Sequence, residues 1–154
     1  MERLKALLDT VTTECDRNSF GAKLLLFREH PEQGNVDVTA VLNDESRLDR
    51  VTAAVRGAFE GHHDRLAFAT QTTWAPGAAD ELRPAWLAII VARSVPPIYV
   101  VKRIVEDQTW FRLPADQAPE FATSTAQSLV RALDGVPMPP IRFGLGPTAD
   151  RQPD

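Results

Sequence analysis

The chain has 154 residues and a net charge of −4, with 44% hydrophobic and 25% charged residues, a balance that suits one folded domain and excludes a wholly disordered chain. Its single cysteine excludes an internal disulfide framework and a multi-cysteine zinc site. No apolar run approaches the roughly 18–20 residues that span a bilayer as a helix, and the acidic balance supplies no overall positive field to attract nucleic acid or an anionic membrane.

Residues 2–17 carry Leu4, Leu7, Leu8, Val11 and Cys15 at three- and four-residue spacing, which predicts an amphipathic helix ended by Asn18, Ser19 and Gly21. Charges at Glu2, Arg3, Lys5 and Asp9 interrupt what would be the apolar region of a secretory signal, so a cytoplasmic protein is expected. Fourteen of the seventeen basic residues are arginine, a bias that points to a GC-rich bacterial genome.

Leu24-Leu25-Leu26-Phe27 is a short continuous apolar run, the pattern of a strand buried on both faces. The turn residues His30 to Asn35 lead into Val36–Leu42, where Val36, Val38, Ala40 and Leu42 alternate with Asp37, Thr39 and Val41. That predicts a half-buried strand hairpinned to the first. Asn43-Asp44 is placed to cap a second helix running to about Glu60, with Leu48, Val51, Val55, Ala58 and Phe59 as its apolar stripe and Gly61 beyond its end. Residues 66–74 return to period two, with Leu66, Phe68, Thr70, Thr72 and Trp74 on one face. The stretch 75–84 is a long irregular connection, and long loops are disproportionately functional.

Trp86–Val91 reads as an interior strand, Pro96-Pro97 as a turn, and Ile98–Val105 as a strand. Glu106-Asp107-Gln108 then turns the chain into Thr109–Leu113, completing an antiparallel meander. Asp116 is placed to cap a last helix with Pro119 in its first turn; Ala122, Ala126, Leu129, Val130 and Leu133 form its packing face, and Asp134-Gly135-Val136-Pro137 stops it. The domain is expected over 1–136, followed by a proline-rich tail over 137–154, mostly extended or disordered, in which Ile141–Leu145 is the piece suited to docking.

The expected fold is α+β: one domain with a five-stranded, mainly antiparallel sheet in the order α-β-β-α-β-β-β-α and helices packed on it. Over residues 2–135 this order is similar to that of the roadblock/longin group of small dimeric scaffolds, to profilin-like domains and to the type III secretion chaperone fold. The resemblance is one of topology, carried by no sequence motif, and it implies a binding role.

Glu60-Gly61-His62-His63-Asp64 is the densest string of candidate metal ligands and proton-transfer groups, with His30, Glu29 and Glu32 in the first hairpin as partners if the two loops converge. The plainer reading is a polar helix terminus, its histidines favoured by the C-terminal dipole. His30, His62, His63 and Asp64 are therefore only weak metal candidates, and no metal or other cofactor is expected. Cys15, on an apolar stripe, reads as a core thiol. No Gly-x-Ser-x-Gly, His-Glu-x-x-His, Cys-x-x-Cys or glycine-rich phosphate loop occurs, so no catalytic residue is assigned.

Residues 83–112 carry a local charge of +3, leaving −7 elsewhere, and hold Trp86, Tyr99, Trp110 and Phe111. The residues put forward for binding are Trp74, Asp80, Glu81, Arg83, Lys102, Arg103, Trp110 and Arg112. The expected function is a non-enzymatic protein-binding module, a small acidic scaffold or chaperone-like protein acting as a homodimer. The alternative is a nucleic-acid or anionic-ligand binder using the basic, aromatic meander. A third reading is a metal or acid–base enzyme using the Glu60–Asp64 region.

Overall fold

The structure, a computed structural model, describes residues 2–18, 22–29, 35–42, 48–75, 81–104 and 109–140. Helix α1 (Glu2–Arg17) is followed by the hairpin β1 (Ala22–Glu29) and β2 (Val36–Leu42), then by helix α2 (Leu48–Ala58). Strands β3 (Arg65–Trp74), β4 (Arg83–Ala92), β5 (Val95–Arg103) and β6 (Phe111–Leu113) follow, then a 3-10 turn at Ala115–Gln117 and helix α3 (Glu120–Ala132). Among the described residues all pairings are antiparallel, and the six-stranded sheet has the order β2-β1-β3-β4-β5-β6.

The α+β class and helices packed on an antiparallel sheet are as expected, but the sheet has six strands rather than five, and the element order gains a strand before the last helix. The strand beyond that count, β6, falls inside Thr109–Leu113, the segment expected to complete the meander, and is three residues long with only Leu113 buried.

Alternation along the interior strands sorts their side chains into two cores. On one face Leu7, Val11 and Cys15 of α1 pack against Leu25, Phe27, Ala67, Trp86, Ile90 and Val100. On the other, Val51 and Val55 of α2 and Ala122, Ala126 and Leu129 of α3 cover Leu24, Leu26, Phe68, Leu87, Ile89 and Val101. Strand β4 is buried continuously from Ala85 to Val91 because helices lie over both of its faces and strands flank both of its edges.

Local expectations are corrected at several points. The turn between β4 and β5 is Arg93-Ser94, with Ser94 at φ 64°, and not Pro96-Pro97. The two prolines lie at the start of β5, where the register slips between Ile90↔Ile98 and Ala92↔Val95, so the regular ladder does not call on their missing N–H groups. Asp116 falls in the 3-10 turn; Pro119 is the N-cap of α3 and makes no side-chain capping bond. Val130 and Leu48, assigned to packing stripes, are exposed, because each lies at the margin of its helix stripe rather than over the sheet. The expected capping pair Asn43-Asp44 lies outside the described residues, as do Ser19, Gly21, Val105, Glu106-Asp107-Gln108 and Ile141–Leu145.

Helix α3 stops as expected. Gly135 takes φ 86°, and the Val136 N–H donates back to the Arg131 carbonyl across the final turn. The chain then returns to α2: the Arg56 Nε donates to the Met138 carbonyl at 2.9 Å, and the Met138 side chain is buried in the α2/α3 core.

Candidate binding surface

Antiparallel register decides which of the sequence candidates share a face. Thr70, Leu87, Val101 and Phe111 form one cross-sheet row on the α2/α3 side; Thr72, Ala85 and Arg103 form the next, and Trp74 and Arg83 the last. Trp74, Arg83, Arg103 and Phe111 thus lie on one face toward one end of the sheet. The Trp74 and Phe111 rings approach to 6.1 Å between centroids at 34°, inside the range of favourable aromatic pairing. Trp74 is half-buried against the core, Phe111 is 46% exposed, and Leu82 beside Arg83 is 65% exposed. Glu81 sits at the same end and accepts a 3.0 Å bond from Arg83 Nη2.

Lys102, Trp110 and Arg112 fall on the opposite, α1-side face. Lys102 Nζ meets Asp16 Oδ1 at the C-terminal end of α1 at 2.8 Å. Trp110 packs on the α1-side core, and its buried Nε1–H has no acceptor among the described residues. Arg112 is exposed at the β6 edge. Asp80 lies outside the described residues. Arg93, at the far end of β4, bonds Asp134 Oδ1 at 2.7 Å and the Leu133 carbonyl at 2.8 Å. The basic residues of the meander are therefore divided between two faces and two ends, and Arg83, Arg93 and Lys102 each face a carboxylate of this chain.

The histidine string is spread in the same way. The His63 Nε2 lies 3.0 Å from the Glu60 carbonyl and 3.3 Å from the Phe59 carbonyl. A carbonyl only accepts, so Nε2 carries the ring proton. The His63 backbone N–H donates to the Leu133 carbonyl at 2.9 Å, which joins the ends of α2 and α3. Burial pulls its pKa below the ordinary 6.5, against the smaller opposing effect of the two carbonyl bonds. His62 is exposed beside Gly135, and Asp64 is exposed with Arg93 Nε at 3.7 Å. Glu29 is buried and held by Arg65, whose Nε lies 3.0 and 3.1 Å from its two oxygens. His30 and Glu32 lie outside the described residues, and no group of three or more metal-ligating side chains occurs among the described ones. Cys15 is fully buried, and desolvation pushes its thiol well above the usual range, the opposite of nucleophile activation.

Two open clefts flank α2. One, of about 380 Å³, lies between Arg56–Gly61 and Gly135–Met138. The other, of about 210 Å³, lies between Gly57-Ala58 and Leu26, Arg28, Asp37 and Thr39.

Sequence reasoning named Phe111 among the meander aromatics without putting it forward for binding, and it missed Leu82 as a surface residue and the Glu29–Arg65 pair as a buried bond. Phe111 carried a signal, since it precedes Arg112 in a segment with one core residue; Glu29 and Arg65 stand 36 positions apart, and only the β1–β3 register joins them.

Comparison of the chain with protein-family models, with curated proteins and with solved structures finds no match.

Proposed function

We propose that this chain is a non-enzymatic protein-binding module, a small acidic scaffold or chaperone-like protein that works as a homodimer and meets a protein partner through the Trp74–Phe111 corner. The observation that carries the reading is that apolar surface is left outside there while charged groups are turned on one another. Phe111 and Leu82 are exposed beside a paired tryptophan, whereas Arg83, Arg93, Lys102, Glu29 and His63 have partners within the chain. Aromatic side chains beside arginine are the composition favoured at the energetic centre of protein interfaces.

Neither of the other readings has an observation of comparable weight. A nucleic-acid surface needs cations gathered on one face, and these are divided. The Glu60–Asp64 string contributes one clamped and one outward imidazole.

Site-specific photocross-linking tests the proposal. A benzophenone side chain placed at Phe111 captures a discrete protein adduct in cells, and the same group at Arg50, an exposed position on α2, does not. A nuclease-sensitive adduct at Phe111, or equal labelling at both positions, contradicts it.

A further inference from the structure

The two edges of the sheet are built differently. At the β6 edge the strand is three residues long, exposes Arg112 and runs at once into Pro114, all devices that discourage another strand from adding. At the β2 edge the strand is seven residues, Val-Asp-Val-Thr-Ala-Val-Leu, with no proline, glycine or lysine and three valines. Among the described residues its one paired neighbour in the sheet is β1. On the α1 side of β2, Val38 and Ala40 are exposed and Val36 is half-buried, whereas the corresponding β1 positions Leu25 and Phe27 are buried under α1. As the last strand in the order among the described residues, β2 presents an edge to which another strand can add, beside exposed apolar side chains.

We infer that β2 is the seam of the homodimer, pairing antiparallel with β2 of a second copy to continue the sheet across a two-fold axis. The inference rests on the homodimer reading above and names its surface. Antiparallel pairing of a strand with its own copy is self-complementary, the requirement of a closed two-fold interface. Charge also selects the occupant. The single charge on β2 is Asp37, which points to the α2 side and pairs with Arg28 of its own chain at 3.1 Å. With Val38 opposite the second copy's Val38, Asp37 stands opposite Thr39 and Val36 opposite Ala40. No like charges then face one another directly, and the apolar residues share one surface. Moving the axis from Val38 to Asp37 shifts every pairing by two residues and sets Asp37 against Asp37, so charge disfavours that register.

The test uses the full chain at several concentrations, with mass read by light scattering and folding by circular dichroism. Wild type is expected as a dimer. Val38→Lys sets like charges against each other across the axis and is expected to raise the dimer dissociation constant by at least about tenfold while the monomer stays folded. In a second experiment, Val38→Cys forms an intermolecular disulfide under mild oxidation, and Arg112→Cys on the opposite edge does not; Cys15 is buried and takes no part. A wild-type monomer overturns the homodimer reading and the seam together. A wild-type dimer that is unaffected by Val38→Lys, or that cross-links equally through both positions, overturns the seam alone.

Discussion

Arg65 on β3 holds Glu29 on β1 through Nε at 3.0 and 3.1 Å, closing the end of the sheet where both side chains leave the α1-side core. The Glu29 side chain is 9% exposed and that of Arg65 17%. The bond to Glu29 raises the Arg65 pKa, so the guanidinium stays charged throughout any accessible pH range. Removing one partner leaves a desolvated charge. Glu29→Gln is expected to cost about 2–3 kcal/mol, below the usual figure for a fully buried pair because Arg65 keeps some water. A shift of the urea midpoint at constant slope measures it.

His63 makes stability depend on pH in a definite direction. Its folded pKa lies below 6.5, so between the folded and unfolded values the unfolded chain binds more protons. The contribution is fully present above 6.5 and is lost as pH falls through that value toward the folded pKa. Thermal melts at about pH 7.5 and about pH 5 are expected to show a fall in wild type that is smaller in His63→Gln. An equal fall in the two proteins contradicts the clamp.

Two glycines are predicted to respond oppositely to alanine. Gly57 lies within α2 with nothing within 4 Å of an added Cβ, so Gly57→Ala should stabilise by roughly 0.5–1 kcal/mol. Gly135 has φ 86° where α3 ends, so Gly135→Ala should destabilise by about 1–2 kcal/mol, even though the space around it is adequate. Paired urea titrations read both signs.

Single-stranded oligonucleotides are expected to give no anisotropy change with this protein at low salt, since Arg83, Arg93 and Lys102 each face a carboxylate of this chain. Binding that weakens steeply as salt rises would contradict that reading.

The sequence made the α+β class legible because its apolar residues keep strict periods: Leu7, Val11 and Cys15 on a helix, and Leu24 to Phe27 on an interior strand. It also placed Lys102 and Arg103 on opposite faces, since period two alone decides that. What it hid depends on register. The Trp74–Phe111 contact joins β3 and β6, two strands that never pair directly and are separated in the sheet by β4 and β5. The bareness of β2 is visible in its composition, but that it is an edge follows only from the strand order.

Light scattering of the unmodified chain across about a hundredfold range of concentration bears most directly on the homodimer. The expected mass at the upper end is about 34 kDa, twice the 17.0 kDa chain, falling toward the monomer on dilution. A mass of 17.0 kDa at every concentration contradicts it.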